Sequence, residues 1–364
     1  MENQKKKRHG LLVSALVVLI AGVAMCGGAI AFGGLSGDAW VKANRKLRAG
    51  QGLYEEPKSM SFAYDIGEIS SLDFDISSSG VIVEKGTGGG FALTYYEDFE
   101  GEFTVNNDGG KLTVKQNNTN YQGKGFFKYF QTNMDWVVGF FDGWNDNEVK
   151  LTVPAGVEFD SVDIKCSSGS VRVSDIVTTG KLDLSLSSGS LRLNNVTAGG
   201  LTAKLASGTA HFNNVAAPDI SATLSSGGLN LTSATADKLT AKLSSGSLRV
   251  NSSGIKVLDI NLSSGGAALT SVTADELTAR LASGSLKVNS SDIKASHIDL
   301  SSGGVTFGSL PAGFTSAATA FNIKVNSGAV RVDGAKQADS YVTNPSGAEY
   351  KIEGRLGSGS FRFN

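Results

Sequence analysis

The chain has 364 residues, with 33 lysines and arginines against 34 aspartates and glutamates, 40% hydrophobic residues, 46 glycines, 5 prolines and 2 cysteines. The apolar content is that of a folded protein, so the composition excludes a disordered chain, a collagen and a scaffold stapled by disulfides. A formal net charge of -1 argues against a nucleic-acid partner.

Residues 1–10 form a basic tail, and residues 11–32 are continuously apolar or small. At about 1.5 Å per residue, a helix over this stretch spans a hydrocarbon core of roughly 30 Å. We therefore predict one transmembrane helix over 11–32, with the lipid bilayer as its partner, a cytoplasmic N-terminus and a juxtamembrane linker over 33–60. Four basic residues between 42 and 48 balance those of the tail, so the predicted orientation rests partly on the short tail.

Two other interpretations of the apolar stretch stay open. Ala29 and Ala31 are small residues at the spacing that signal peptidase recognises, which is compatible with cleavage after Ala31. Cys26 is a candidate for lipidation, although the bulky Met25 stands where a lipoprotein signal has a small residue. The apolar run is longer than the core of an ordinary signal peptide, which favours a retained anchor.

Residues 61–160 are predicted to form N-terminal β rungs, that is, strands that stack on one another, with an aromatic insertion or cap. Within them, residues 121–144 hold 9 of the chain's 29 aromatic side chains. These are Tyr121, Phe126, Phe127, Tyr129, Phe130, Trp136, Phe140, Phe141 and Trp144. Such clustering predicts either a cap over the open end of the following repeat or an amphipathic surface that contacts a partner.

A repeat dominates residues 161–364, where Ser/Ala-Ser-Gly recurs with spacings of 20 and then 19 residues six times. The repeated glycines are Gly169, Gly189, Gly208, Gly227, Gly246, Gly265, Gly284 and Gly303. Three residues before each glycine stands one member of an apolar ladder. The ladder consists of Cys166, Leu186, Leu205, Leu224, Leu243, Leu262, Leu281 and Leu300.

Apolar and polar residues alternate on both sides of each glycine, which is typical of a strand with one buried face. Each repeat is therefore predicted to be two short strands joined at a Ser-Ser-Gly corner, where glycine permits a positive φ. One repeat cannot bury its own apolar face, so successive repeats must stack about 4.8 Å apart. The fold class predicted is all-β, a single-stranded β-solenoid (β-helix) of about 19-residue coils, preceded by one N-terminal transmembrane helix.

Two features of the repeat leave alternatives open. The repeats around Gly208, Gly246 and Gly284 carry basic residues, whereas those around Gly227, Gly265 and Gly303 carry Gly-Gly. The full pattern therefore recurs every 38 residues, and one coil contains either 19 or 38 residues. We favour 19, because that coil needs no further strands. The phase returns once around Gly328, and residues 358–363 are expected to form a last strand or C-terminal cap.

Residues 149–157 have the sequence Val-Lys-Leu-Thr-Val-Pro-Ala-Gly-Val and lead into the tandem Ser-Ser-Gly strands. Together with an imperfect rung over 72–83 and the aromatic insertion, this pattern resembles the "putative adhesin" β-strand-repeat family of unknown function from Gram-positive envelope proteins. The resemblance covers about residues 60–364 and implies a β-helical fold and a cell-surface setting. It supplies no catalytic residues, and some relatives accompany envelope-stress signalling systems.

No catalytic, cofactor-binding or metal site is predicted from the sequence. The histidines have no partner at metal-ligand or triad spacing, and Asp163 and Asp183 are expected to stack on an outer face without a cleft. A basic column is expected on the outer strand surface. It consists of Arg172, Arg192, Arg249 and Lys287, which are suited to an anionic wall polymer or to solvation and edge protection.

These observations predict a non-enzymatic, membrane-anchored adhesion or cell-envelope structural module whose β domain lies outside the cytoplasm. Its expected partners, besides the bilayer, are a cell-wall polymer or another envelope protein, with no nucleic acid and no small-molecule substrate. The alternative is a sensory or regulatory ectodomain of a membrane envelope-stress signalling system.

Overall fold

The structure, a computed structural model, describes residues 58–65, 67–97, 101–117 and 148–364. These residues all fall in one compact unit. They form 19 strands of one hydrogen-bonded sheet and one short 3-10 turn, with no α-helix among them. The all-β prediction is thereby confirmed for the described part of the chain.

The strands divide into an N-terminal group, a regular stack and a C-terminal group. The N-terminal strands are β1 (Lys58–Tyr64), β2 (Ser71–Ile76), β3 (Gly80–Lys85), β4 (Phe91–Glu97), β5 (Phe103–Asp108), β6 (Lys111–Gln116), β7 (Glu148–Val153) and β8 (Glu158–Phe159). The stack contains β9 (Ser161–Ser174), β10 (Val177–Ala216), β11 (Asp219–Thr232), β12 (Thr235–Asn251), β13 (Gly254–Thr270), β14 (Thr273–Asn289) and β15 (Asp292–Gly308). The C-terminal strands are β16 (Thr319–Val332), β17 (Ala335–Gln337), β18 (Ser340–Thr343) and β19 (Tyr350–Phe363), with the 3-10 turn at Ser316–Ala318.

The coil contains 19 residues, because the parallel strands pair with that offset. Leu243 pairs with Leu262, and Gly246 pairs with Gly265. The same offset joins β13 to β14 and β14 to β15. A coil of 38 residues is therefore incorrect.

The apolar ladder lies inside the stack, where none of its eight members is more than 4% exposed. Each ladder residue stacks on its equivalent in the neighbouring coil, as Leu205 does on Leu224. Burying a leucine side chain contributes about 1.5–3 kcal/mol, so the ladder is a main source of stability. No coil makes this burial alone, since each relies on its neighbours.

All eight corner glycines adopt a positive φ, from +121° at Gly265 to +152° at Gly169. From Gly189 onward, the preceding corner packs directly against each of them. A Cβ atom added to Gly246 would lie 1.7 Å from the carbonyl oxygen of Gly227. Glycine is required at this point both for its backbone conformation and for the close approach of neighbouring coils.

A second turn closes each coil six residues after the corner glycine, at a left-handed residue other than glycine. These residues are Asp175, Asn195, Asn214, Ser233, Ser252, Ser271, Ser290 and Ser309. Asparagine, aspartate and serine tolerate or support this conformation through local hydrogen bonds. A short third side then follows, with buried residues such as Ala236, Ile255 and Ala274. The coil thus has a first arm before the glycine, a second arm after it and this third side, which the repeat pattern alone does not predict.

The stacking order differs from the chain order at the C-terminal end. β19 pairs with β15 on one side and with β16 on the other, and both pairings are parallel. The C-terminal segment is therefore the last strand of the chain, as predicted, but an internal rung of the stack, so the alternative prediction of a C-terminal cap is wrong. β16 forms the outermost rung, and β17 and β18 pair with it in antiparallel orientation. This returning chain covers the edge that a terminal parallel strand would leave open.

The N-terminal end is built in the same way. The rung formed by β2 and β3 pairs with β9, while β6 and β7 form the next rung outward. β5 then pairs antiparallel with β6, and β4 pairs antiparallel with β7 and β1. Antiparallel strands therefore finish both ends of the parallel stack.

Within the described ranges, no helix has the length and apolarity needed to cross a membrane. The transmembrane prediction for 11–32 and the linker prediction for 33–60 fall on residues outside those ranges, apart from 58–60. Strand β1 begins at Lys58, so the last residues of the predicted linker are part of the sheet.

Replacing the corner glycine tests the packing of the coils. Gly246→Ala should lower the free energy of unfolding by about 3 kcal/mol or more, because both the φ of +142° and the carbonyl of Gly227 oppose a Cβ atom. Gly254→Ala is the matched control, since no heavy atom lies within 4 Å of its added Cβ. Urea unfolding of the full chain measures both, and equal midpoints for the two variants would contradict this account.

Engineered cysteine pairs test the stacking order at the C-terminal end. Ser302 pairs with Ser358, and Ser327 also pairs with Ser358, so Ser302 and Ser327 lie two rungs apart. With Cys26 replaced by serine, Ser302→Cys with Ser358→Cys should form a disulfide on mild oxidation. Ser302→Cys with Ser327→Cys should not, because two rungs separate their Cα atoms by about 9.6 Å, beyond the limit of about 7 Å.

Non-reducing electrophoresis and peptide mapping give the result. A bond between 302 and 327, with none between 302 and 358, would mean that β16 follows β15 directly and that β19 is the outermost strand.

Candidate functional site

The described part of the chain contains no group of three or more histidine, cysteine or acidic side chains arranged to hold a metal ion. His211 lies exposed on a second arm, where its Nδ1 is 3.4 Å from Nδ2 of Asn230. His297 lies on a first arm, with its Nδ1 2.9 Å from Oε2 of Glu353. Each of these two histidines therefore has a polar neighbour in the next stacked rung.

Cys166 is buried in the ladder, with 2% of its surface exposed. Burial raises the pKa of its thiol to about 11, against a smaller opposing effect of the backbone hydrogen bond from Ser168. Because the thiolate is the nucleophilic form, this cysteine is unsuited to catalysis near neutral pH. It serves as a small apolar residue at a ladder position.

Asp163 and Asp183 pair on adjacent rungs, as the sequence predicted, and Asp73 stacks on the other side of Asp163. Lysines neutralise this row of carboxylates. Nζ of Lys165 is 3.2 Å from Asp163, and Nζ of Lys111 forms an ion pair with Asp73. Neither described cavity is lined by these acids. The row has the environment of a solvated ionic surface and lacks the enclosure of a catalytic carboxylate pair.

The larger cavity is an open groove of about 1160 Å³ on the first arms of the last coils. Arg280, Asp299, Arg355 and Lys324 succeed one another along its floor, and Glu353 stands beside them. Opposite charges pair at several points here, while Arg355 and Lys324 are adjacent cations. Arg280 is 3.3 Å from Asp259, and a hydrogen bond from Lys351 lowers the pKa of Glu353. The groove can contact polar ligands, and part of its charge is satisfied by ion pairs at Arg280 and Glu353.

The smaller cavity, of about 440 Å³, lies on the third sides of five coils. Small side chains such as Ala198, Ala217, Ala236 and Ala274 form its floor. Nζ of Lys256 is 2.7 Å from Asp237 at its margin. It is a shallow depression that results from small residues at equivalent positions of successive coils.

The outer surface of the second arms has a different character. The predicted basic residues Arg172, Arg192, Arg249 and Lys287 occupy equivalent outward positions there. Arg172 is half-buried and the other three are exposed. The carboxylate of Glu148 lies near Arg172 and feels its charge, while burial raises the pKa of Glu148. The predicted column therefore exists as a row on one face of the stack.

The aromatic insertion, Tyr121 to Trp144, lies outside the described residues. In the sequence it lies between β6, which ends at Gln116, and β7, which begins at Glu148. Gln116 completes the corner of the neighbouring rung. Its Oε1 accepts hydrogen bonds from the N–H groups of Ser77 and Ser78, both 2.9 Å long. The two predicted roles of the aromatic segment, a cap and a contact surface, therefore both stay predictions.

Sequence reasoning missed two components of the second-arm row. Arg362 of β19 follows Thr306, and Arg331 of β16 follows Arg362, because the C-terminal strand is inserted between two others. The pairing of distant segments places them there. In Ser360-Phe361-Arg362 the basic residue stands three positions after the corner glycine, as it does in the earlier coils. Arg331 has the same position, and this spacing is the sequence signal that both arginines share with the earlier coils.

Solved structures that match the chain share little sequence with it. A "putative lipid binding protein" from Parabacteroides distasonis is 10% identical, with 84% of this chain and 96% of that chain covered and a TM-score of 0.37. A "putative adhesin" from the same species is 10% identical, with 85% and 98% covered and a TM-score of 0.36. A "putative cell adhesion protein" from Clostridium sporogenes is 8% identical, with 85% and 99% covered and a TM-score of 0.20.

Comparison with curated proteins finds no match. A protein-family model does match, over residues 69–209 and 198–355, and these two stretches together cover most of the β-solenoid. The family resemblance seen in the sequence is thereby confirmed. The chain belongs to the Toastrack DUF4097 family.

Proposed function

We propose that the chain is a membrane-anchored, extracytoplasmic binding module, held by residues 11–32, whose β-solenoid acts as an adhesion or cell-envelope structural element. One observation carries this proposal. The outward side chains of successive coils align in long, exposed rows, which make repeated contacts available along an extended surface.

The same surface argues for binding over catalysis. Catalytic sites depend on enclosure, which shifts pKa values and excludes water. The two cavities described above are open grooves, and the larger one contains ion pairs at Arg280 and His297. An extended polymer or protein partner suits such a surface better than a small substrate does.

The location of the solenoid is argued from the sequence. The basic tail and the apolar stretch 11–32 favour a helix that keeps its N-terminus in the cytoplasm and exports the residues after it. Asn364, the last residue, is exposed at the end of β19. A tag placed after it is therefore accessible without disturbing the stack.

Protease treatment of intact cells with the wall removed tests the proposed location. A C-terminal epitope tag should be lost, because it lies outside the membrane, while the remaining protein stays in the membrane fraction. The matched control is the same tag before Met1, which should survive until the cells are lysed. Protection of the C-terminal tag until lysis would overturn the proposal, and release of the solenoid into the medium would support cleavage after Ala31 instead of anchoring.

A further inference from the structure

One row of exposed cations extends along the second arms. We define the cationic column as Arg192, Arg249, Lys287, Arg362 and Arg331, in stacking order. All five are exposed and occupy equivalent outward positions. Eight rungs separate the first member from the last, which corresponds to roughly 40 Å at the usual strand spacing.

Acidic residues are rare on this surface. Among the outward positions of the second arms from Ser190 to Asn364, the only acid is Asp333, which lies in the terminal β16–β17 turn. Its carboxylate accepts a hydrogen bond from Ser316. The first arms and third sides carry both signs and form ion pairs, as Arg280 and Lys256 do. The net charge of -1 therefore conceals a face on which cations far outnumber acids.

The cationic column has no internal counter-charge. None of its members forms an ion pair within the described ranges. At the C-terminal end Arg362 and Arg331 are neighbours, and Lys336 of β17 lies directly opposite Arg331. Like charges on adjacent strands are destabilising, so three cations in a row favour an external anion that neutralises them.

Two of the arginines are oriented by neighbouring serines. Nη1 of Arg192 donates to Oγ of Ser190 at 3.0 Å, and Nη1 of Arg249 donates to Oγ of Ser247 at 3.2 Å. A guanidinium held in this way loses less side-chain entropy when it binds a phosphate or carboxylate. The serines lie on the same outward face and add hydroxyl groups beside the cations.

The width of the cationic column indicates the shape of its ligand. The flanking outward residues are small and polar, such as Ser247, Asn251, Ser285 and Asn289. A membrane surface would be better matched by several parallel rows of cations and by aromatic or aliphatic side chains that enter the lipid interface. A row one residue wide and roughly 40 Å long is instead complementary to a single extended chain.

We infer that the cationic column binds one linear polyanion, a polymer with phosphate groups along its backbone, lying parallel to the stack. This inference rests on the proposed function in one respect, since it assigns a partner class to the same extended surface. Contacts to polymer phosphates are electrostatic, so affinity should fall with salt in proportion to the number of contacts.

Linear inorganic polyphosphate is the probe that tests this inference. Labelled polyphosphate is titrated with the full chain in a non-ionic detergent, and anisotropy gives the affinity at several salt concentrations. The test variant carries Arg249→Gln, Lys287→Gln and Arg362→Gln. The matched control carries Lys204→Gln, Lys242→Gln and Arg355→Gln, which remove three exposed cations from the first arms. The basic residues at 5–8 are common to all samples.

The test variant should bind polyphosphate roughly tenfold or more weakly than the wild type, and its salt slope should fall by about 2, as expected for three lost contacts to a single strand. The control should change affinity by less than about threefold, because the first arms also carry acids, such as Asp259, Asp299 and Glu353, that repel a polyanion. Unchanged urea midpoints for both variants would show that folding is intact.

Three results would overturn the inference. Equal losses in the two variants would indicate non-specific charge attraction. Binding to vesicles of anionic phospholipid that exceeds binding to neutral vesicles and is lost in the test variant, without binding to polyphosphate, would assign the cationic column to a membrane surface. Absence of wild-type binding to either probe would leave the cationic column without an anionic partner.

The protease experiment under the proposed function is independent of these results. If the solenoid faces the cytoplasm yet the cationic column binds polyphosphate, the location fails and the partner class stands. If the solenoid is extracytoplasmic and the two variants bind alike, the location stands and the partner class fails.

Discussion

The stacking of one corner glycine on the next is the constraint on which the fold depends. The carbonyl oxygen of each corner occupies the place where a Cβ atom of the next would stand, 1.6–1.8 Å away for the corners from Gly189 onward. Such close approach fixes the register, because a shift of one residue would bring a serine into that space and turn the apolar ladder outward. Every outward row, including the cationic column, depends on this register.

A stack fixed in this way still has two open edges, and the chain closes them by departing from sequence order. At the C-terminal end β16 comes first in the chain and forms the outer rung, and β19 comes later and lies between β16 and β15. At the N-terminal end β2 and β3 lie beneath β6 and β7, which come later in the chain. In both places the outermost parallel rung continues into, or is paired by, antiparallel strands. A terminal edge finished in this way offers fewer free hydrogen-bonding groups to another chain.

Much of this architecture is predictable from local sequence, and the rest depends on contacts between distant segments. Period-two alternation and the recurring glycine predict the arms, the corner and the 19-residue coil, because both signals act within one repeat. The second turn was not predicted, because its left-handed position is occupied by Asp, Asn or Ser in different coils and has no single recurring residue type. The segregation of charges between the faces of the stack was not predicted, because the net charge is a sum over all faces. Arg362 and Arg331 join the cationic column only through long-range pairing.

The alternation of two rung types also bears on the stacking order. In Gly-Gly rungs the second glycine faces a serine of the next rung: the Cβ position of Gly228 is 3.5 Å from Oγ of Ser247, and that of Gly266 is 3.3 Å from Oγ of Ser285. Gly304 faces such a serine as well. β16 presents Ala329 at that position, whereas β19 presents Ser360, whose Oγ is 3.6 Å from the Cβ position of Gly304. The insertion of β19 therefore continues the alternation of rung types up to Arg362, which follows the neutral Thr306, and the alternation ends at β16, where Arg331 lies directly beside Arg362.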